Sequence, residues 1–146
     1  MLWHWSSTPK VTSLAVLTCV QPGHLLDLIG FHVLATARKT DSIADLASNG
    51  ITTLALEVDK PESIVALKEE VAKITNGKLD YLVNNAGRNY TVPATDYDLD
   101  EVELTFRTNL FGVMRMCKEF TPLLIAAKGT IVQIGSIAGI MRESSL

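Results

Sequence analysis

Cysteine, aromatic residues and excess positive charge are all scarce in this chain of 146 residues. Its two cysteines, Cys19 and Cys117, do not stand in a spacing that holds a metal, so the sequence predicts no metal site. Thirteen basic and sixteen acidic residues leave a net charge of −3, which excludes the strongly basic surface typical of nucleic-acid-binding proteins. Because disulfides are not expected, the composition favours a reducing compartment, and we expect a cytoplasmic location.

Long apolar runs are absent as well. The longest near the N-terminus, Val11–Val20, is interrupted by polar residues and falls short of the roughly 20 apolar residues that cross a membrane. The first basic residue is Lys10, so the start lacks the early positive charge of a signal peptide. We therefore expect neither a transmembrane segment nor secretion, and the glycosylation-type triplet Asn89–Thr91 is expected to stay unused.

What the sequence does contain is a regular alternation of strand and helix patterns from residue 30 onward. The length matches one domain of roughly 150 residues, and the 47% apolar content suffices for a core. Short apolar runs predict strands at Leu14–Thr18, Phe31–Ala37, Thr52–Val58, Leu79–Val83 and Thr130–Ile134. Helices are predicted at Ser42–Ser48, from a cap at Asp59 with Pro61 and Glu62 to a stop at Asn76-Gly77, and at Asp98–Ala127, where Pro122 is expected to kink or end the helix.

This alternation is typical of the α/β class, a doubly wound parallel sheet in three αβα layers. The long helix is predicted to place one apolar side against the core, formed by Val102, Phe106, Leu110, Val113, Met114, Cys117 and Leu124. Before residue 30 the pattern is weaker, with a predicted turn at Cys19–His24 and about one helical turn at Leu25–Ile29. We divide the chain into an atypical N-terminal segment, 1–29, and a partial Rossmann-type domain, 30–146.

Three polar motifs follow predicted strands: Ala37-Arg38, Asn84-Asn85-Ala86-Gly87 and Gly135-Ser136. In a parallel sheet the carboxyl ends of the strands share one edge, where ligands bind at the topological switch point. The three motifs are therefore expected to converge on one ligand site.

The series Leu79–Gly87, Asn109–Gly112 and Ile134–Gly139 resembles the short-chain dehydrogenase/reductase superfamily, in order, spacing and structural context. The resemblance covers about residues 30–141. Within the superfamily, Asn84–Leu124 looks most like fungal reductases related to acyl-dihydroxyacetone-phosphate reductase. The resemblance implies a Rossmann sheet that binds NAD or NADP, and a hydride transfer between the nicotinamide and a carbonyl or alcohol carbon.

The resemblance also implies roles for particular residues. Ser136 matches the serine that binds the substrate oxygen, and Asn109 matches the asparagine that holds a water of the proton relay. Arg38, with help from Lys39, is the basic residue expected to select NADP through its 2′-phosphate. The other expected cofactor contacts are Asn84, Asn85, Ala86, Gly87, Ile134, Gly135 and an acidic residue near the adenine, for which Glu57 and Asp59 are both candidates.

Two departures from the family pattern bear on activity. The family's tyrosine, with a lysine four residues later, follows its serine by about a dozen residues, and Met141–Leu146 contains neither residue type. The family's glycine-rich phosphate loop is reduced to Thr18–Gly23, which has one glycine and a proline. We therefore expect an NADP-dependent carbonyl reductase by descent, acting on a lipid-like or secondary-metabolite ketone, with negligible turnover in this chain.

A second hypothesis is a non-catalytic truncated product. It would be unstable, or would bind a full-length relative or a second copy through helix 98–127. A nucleotide-binding regulatory module is a third and weaker hypothesis, because the phosphate loop is altered. By subgroup resemblance alone, an association with lipid droplets or the endoplasmic reticulum is also an expectation.

Overall fold

A computed structural model describes residues 12–17 and 31–136 of the chain. The predicted turn at 19–24 and helical turn at 25–29 lie outside the described residues. One sheet contains five strands, which are β1 (Thr12–Leu17), β2 (Phe31–Ala37), β3 (Thr52–Ala55), β4 (Tyr81–Asn84) and β5 (Thr130–Gln133).

The strands lie in the order β3-β2-β1-β4-β5, and every described pair is parallel. The order reverses at β1, which pairs with β2 on one side and β4 on the other. Since Leu17, Asn84 and Gln133 stand in register, the carboxyl ends of β1, β4 and β5 align along one edge. The predicted parallel α/β sheet of an incomplete Rossmann-type fold is confirmed.

The third strand is shorter than the predicted Thr52–Val58. Its ladder with β2 ends with the bond from the Leu56 amide to the Ala37 carbonyl, at 2.9 Å. The next amide, that of Glu57, donates instead to Oγ of Ser63 at 2.9 Å, and Ser63 belongs to the helix that follows. The chain therefore leaves the sheet at Leu56, and residues 57–59 form a loop.

Short and long helices connect the strands. They are a 3₁₀ turn (Thr40–Ile43) continued by α1 (Ala44–Ser48), then α2 (Pro61–Ile74), α3 (Leu99–Phe106) and α4 (Val113–Ala127). The predicted cap at Asp59 is wrong: α2 begins after Lys60, whose side chain makes no capping hydrogen bond, and Pro61 stands at the first helical position. Among the described residues, none of these helices is long and apolar enough to cross a membrane.

The predicted single helix over 98–127 is interrupted in its middle. Asp98 caps α3 by accepting a bond from the Asp100 amide, as a helix start requires. Residues Arg107–Gly112 then form a wider π-helical segment between α3 and α4. Pro122 does not end the helix early, because α4 continues to Ala127 with Leu123 and Leu124 buried against the core.

Apolar side chains form one cluster on each face of the sheet. The larger one joins Leu34 of β2 and Leu82 of β4 to α2 and α4, with Phe120 at its centre and fully buried. The smaller one packs alternate residues of β2, including Val33 and Ala35, against the 40–51 segment. Because neighbouring strand residues point to opposite faces, both faces of β2 are buried, as its short apolar run predicted.

The apolar side predicted for the long helix is wrong in part. Phe106, Leu110 and Met114 are exposed by 52%, 44% and 60%. Leu124 is buried as predicted, and the other side chains that α4 buries are Met116, Phe120 and Leu123, which were not predicted. The π segment accounts for the difference, because it adds residues to one turn and rotates everything after it relative to a regular helix.

Candidate functional site

Loops that follow β2, β3 and β4 meet at the carboxyl edge of the sheet and enclose a cleft of about 760 Å³, which we call the strand-end cleft. Its walls are residues 36–38, residues 56–59, residues 85–89, and Leu104 and Thr108 of the helix above. The cleft volume lies within the range of small-molecule and cofactor sites. The cleft brings together Arg38, Glu57, Asp59, Asn85, Ala86 and Gly87, which are six of the predicted cofactor-binding residues.

Charged side chains of both signs line the part of the cleft formed by residues 36–38 and 56–59, which we call the outer wall. Arg38 follows the buried end of β2 and is exposed, so its cation stands at the rim of the cleft. Glu57 forms an ion pair with Lys60, with 2.8 Å between Oε2 and Nζ. The hydrogen bond and the negative charge of Glu57 raise the pKa of Lys60 above its usual value. Glu57 is thereby held at the turn into α2, while Asp59 lines the cleft beside it.

The loop after β4 is fixed by Asn109. The Arg88 amide donates to Oδ1 of Asn109 at 2.9 Å, and Nδ2 of Asn109 donates to the Arg88 carbonyl at 2.9 Å. One side-chain amide thus satisfies both main-chain groups of the residue that follows Gly87. The π-helical segment carries Asn109, and such segments are common at functional sites. The structure therefore joins Asn109 to the Asn85–Gly87 motif, although 21 residues separate Asn109 from Arg88.

Gly112 sets the distance between the helix and the outer wall. A Cβ at this position would lie 2.7 Å from the Val58 carbonyl oxygen and 3.1 Å from that of Arg107. Only glycine permits this approach without a shift of backbone, so the π segment packs directly on the loop that carries Glu57 and Asp59. The Asn109–Gly112 motif pointed to this position, but the contact with Val58 was not predicted.

Asn84 lies beneath the cleft and does not line it. It is 5% exposed, and its Nδ2 lies 3.5 Å from Sγ of Cys117 on α4. Gln133 of β5 reaches the same sulfur from its Nε2, at 3.6 Å. The amides of Asn84 and Gln133 thus brace the ends of β4 and β5 against α4.

Three further predicted residues, Ile134, Gly135 and Ser136, follow β5 and are exposed. The Ile134 amide donates to the Asn84 carbonyl at 3.0 Å, so this segment extends the ladder beside β4. None of the three lines the strand-end cleft as the structure describes it. They stand at the same sheet edge, on the side of β4 away from Arg38.

Two side chains near the site were not predicted from the sequence. Arg88 lines the cleft, and its Nη2 pairs with Oε2 of Glu101 in the first turn of α3. The hydroxyl of Tyr90 accepts a bond from the Asp98 amide at 2.9 Å, at the start of the same helix. A single arginine or tyrosine in a loop belongs to no sequence pattern that predicts such partners.

These features fit a dinucleotide cofactor. Arg38 offers a cation for phosphate, and the carboxylates of Glu57 and Asp59 offer acceptors for an amine or a hydroxyl. Gly87 has no side chain, so a ligand can approach the backbone of the 85–89 loop closely. The cleft also lies at the carboxyl edge, beside the reversal of strand order, where nucleotides bind to sheets of this kind.

Comparison with known proteins identifies the class. The family model described as short chain dehydrogenase matches residues 24–146, and the chain belongs to this family. Members of the family are oxidoreductases that bind a nicotinamide cofactor. The predicted resemblance to the superfamily is therefore confirmed.

Fungal short-chain dehydrogenases are among the relatives that this chain resembles. The short-chain dehydrogenase srdE of Neurospora crassa is 41% identical over 140 residues, which cover 91% of this chain and 48% of that protein. The NADPH-dependent 1-acyldihydroxyacetone phosphate reductase of Schizosaccharomyces pombe is 45% identical over 108 residues, covering 74% and 36%. The predicted likeness to such fungal reductases is confirmed, and the chain spans less than half the length of these relatives.

Solved structures share the fold. A short-chain dehydrogenase from Streptomyces avermitilis superposes with a TM-score of 0.81 at 24% identity, covering 91% of this chain and 52% of that one. The Pseudomonas aeruginosa RhlG/NADP active-site complex gives a TM-score of 0.78 at 21% identity, covering 92% and 58%. At this identity the likeness supports the Rossmann-type architecture alone.

Proposed function

We propose that the strand-end cleft binds NADP(H) and that the protein is an NADP-dependent carbonyl reductase or alcohol dehydrogenase of its family. The observation that carries the proposal is the convergence in one cleft of Arg38, the Glu57–Asp59 loop and Asn85–Gly87. The two fungal reductases named as NADPH-dependent, from Schizosaccharomyces pombe and Saccharomyces cerevisiae, support this choice of cofactor.

Within this proposal each cleft residue has a role. Arg38 pairs with the 2′-phosphate of the adenosine ribose, and Glu57 or Asp59 accepts from the adenine amine. The backbone of Asn85–Gly87 lines the cofactor, while Asn84 braces the sheet below it. Ile134 and Gly135 continue the cofactor wall beyond β4.

When bound, a nicotinamide cofactor supplies or accepts the hydride of a carbonyl–alcohol interconversion. Ser136 would hold the substrate oxygen by a hydrogen bond, and Asn109 would order a water for the proton relay while its side chain fixes the loop at Arg88. None of the three tyrosines, Tyr81, Tyr90 and Tyr97, is followed four residues later by a lysine. General acid catalysis typically supplies about 10²–10⁴ in rate, so we expect this chain to bind cofactor with negligible turnover.

The substrate class follows from the fungal relatives. One of them reduces an acyl ketone phosphate by its name, and we propose a lipid-like or secondary-metabolite ketone for the protein from which this sequence comes. Enzyme-dependent NADPH oxidation across a panel of such ketones would contradict the expected inactivity of the chain.

The cofactor assignment predicts that replacing Arg38 by Glu raises the Kd for NADPH by about 10- to 100-fold, the worth of a charged hydrogen bond. The Kd for NADH is expected to stay level or to fall, because NADH has no 2′-phosphate and the new carboxylate can accept from its ribose 2′-hydroxyl. Thermal shift and fluorescence titration of the purified chain with each cofactor provide the measurement.

The matched control for this prediction is Arg115→Ala. Arg115 lines a different groove, of about 660 Å³, beside α2 and α3, and its loss is expected to leave both Kd values unchanged. If Arg38→Glu weakened NADPH and NADH equally, or neither, the assignment of Arg38 to the 2′-phosphate would be wrong.

A second candidate function is association through the helix of residues 99–127. Phe106 and Phe111 line one groove, and they belong to a set of five large exposed apolar side chains that supports this candidate. They are Leu99, Phe106, Leu110, Phe111 and Met114, exposed by 44% to 65%. We propose that this face pairs with a second copy or with a full-length relative.

This candidate predicts a concentration-dependent dimer in sedimentation velocity, and Met114→Lys is expected to abolish it by placing charge in the apolar contact. Ile125→Lys is the control, because Ile125 is 72% exposed near the far end of the same helix. A chain that stays monomeric at every concentration and beside excess full-length relative would remove this candidate.

A further inference from the structure

Arg88 is held from two directions. Its main-chain amide and carbonyl bond to Asn109, and its guanidinium pairs with Glu101 of α3. Its side chain is only 27% exposed, whereas Arg107, which pairs with Glu103 on the same helical stretch, is 61% exposed. Arg88 therefore belongs to the wall of the cleft, and its ion pair is better shielded from water than its neighbour's.

The guanidinium depends on Glu101. Its Nη1 is buried and has no hydrogen-bond partner among the described residues, so the pairing of Nη2 with Glu101 is the main compensation for a partly buried charge. Removing one partner of such a pair leaves the other desolvated and uncompensated. Loss of the Glu101 charge should therefore release the Arg88 side chain from α3. Residue 88 would keep its two main-chain bonds to Asn109, and the outer half of the 85–89 loop should become less ordered.

We propose that Arg88 is a positioning residue for the dinucleotide, and that its ion pair with Glu101 fixes the 85–89 loop in the form that binds cofactor. The inference rests on the proposed function for its ligand, but the ordering of the loop belongs to the free protein. It makes the first turn of α3 part of the cofactor site, although Glu101 itself does not line the cleft.

The direction in which Glu101→Gln changes the Kd for NADPH distinguishes a positioning role from simple charge attraction. If Arg88 acted only as a cation near an anionic cofactor, Glu101→Gln would remove a negative charge and tighten NADPH binding. If the ion pair positions the loop, Glu101→Gln instead weakens binding by about fivefold to tenfold, the worth of a moderate coupling energy. Arg88→Gln should weaken binding to a similar degree, and Arg88→Lys should stay within about threefold of wild type because the ammonium can still pair.

The experiment uses the full chain and its variants Arg88→Gln, Arg88→Lys and Glu101→Gln, with Arg107→Gln as the matched control for an exposed ion pair. NADPH is titrated by fluorescence, and amide hydrogen exchange of the ligand-free chains is followed in peptides covering 85–90. We expect faster exchange there in Glu101→Gln and Arg88→Gln, with melting temperatures close to that of Arg107→Gln. A general loss of stability would lower the melting temperature instead.

The outcomes also separate the inference from the proposed function. Unchanged exchange at 85–90 in Glu101→Gln, or tighter NADPH binding by that variant, would overturn the positioning role. Faster exchange without any change in the NADPH Kd would overturn it as well. A wild-type chain that binds no NADPH would refute the proposed function, and the positioning role would fail with it, even where the exchange data showed an ordered loop.

Discussion

Replacing Gly129 by Ala is expected to lower the free energy of unfolding by about 3 kcal/mol or more, at the upper end of overpacking effects. The added Cβ would lie 2.3 Å from the Leu79 carbonyl oxygen, 2.7 Å from that of Asp80 and 3.0 Å from Cδ2 of Leu124. Two of these atoms belong to backbone, which cannot rotate away as a side chain can. The substitution therefore forces apart the end of α4 and the start of β4.

The surrounding hydrogen bonds show why this junction has little room. The Gly129 amide donates to the Leu124 carbonyl at 2.8 Å, and the next amide, of Thr130, donates to Asp80 at 2.7 Å. From the other side the Leu79 amide donates to the carbonyl of Leu123 at 3.1 Å. Any shift that relieves the clash stretches these bonds, which join α4, β4 and β5.

Thermal melts followed by circular dichroism test the prediction. A loss of about 3 kcal/mol corresponds to roughly 6–12 °C in a chain of this length, and a chain of low stability would lose its cooperative transition. Gly135→Ala is the control, because a Cβ there meets no described atom within 4 Å. Equal melting temperatures for wild type and Gly129→Ala would show that α4 and β4 are not packed as described.

The parts of this fold that could be predicted from sequence are those that depend on patterns among neighbouring residues. Phe31–Ala37 is a short, mostly apolar run, and it forms a strand with those bounds whose residues 33–37 are buried on both faces. Asn85–Gly87 follows β4 directly, and Asn84 is the last residue of the strand, one residue beyond the predicted end at Val83. Asn and Gly are residues that suit a turn after a strand. Strand alternation and motif order were enough to predict the parallel sheet and the edge where the loops meet.

Contacts between distant residues were beyond such reasoning. The Arg88–Glu101 pair joins residues 13 apart, and the approach of Gly112 to Val58 depends on how the helix crosses the loop. Helical periodicity assumes a constant number of residues per turn, which the π segment violates. The bond from Glu57 to Ser63 ended β3 early for a similar reason, since one side chain intercepted a backbone donor.

The cleft is therefore assembled by elements of two kinds. Its predicted residues lie on loops that directly follow strands, so the sheet alone places them together. Two contacts that were not predicted position those loops. Arg88 pairs with Glu101 of α3, and Gly112 of the π segment packs against Val58. The proposed cofactor site requires both, because hydrogen bonds weaken steeply when a polar group is displaced from its partner.

The last prediction concerns the rotation that the π segment imposes on α4. Phe120→Ala is expected to destabilise the chain by about 3–5 kcal/mol, whereas Phe106→Ala should change the stability by no more than about 0.5 kcal/mol. Phe120 is fully buried between α2 and the sheet, and its loss leaves a cavity, while Phe106 is 52% exposed. A regular helix over 98–127 would bury Phe106, as its spacing suggested.

Urea unfolding of both variants, at dilutions where the transition does not depend on protein concentration, separates these alternatives. That dilution removes any stability that Phe106 contributes through association. Similar losses for the two variants, or a larger loss for Phe106→Ala, would mean that the helix runs regularly from α3 into α4. In that case Asn109 would be turned relative to Arg88, and their two hydrogen bonds could not both form. The stability of one buried phenylalanine thus tests the geometry of the proposed cofactor site.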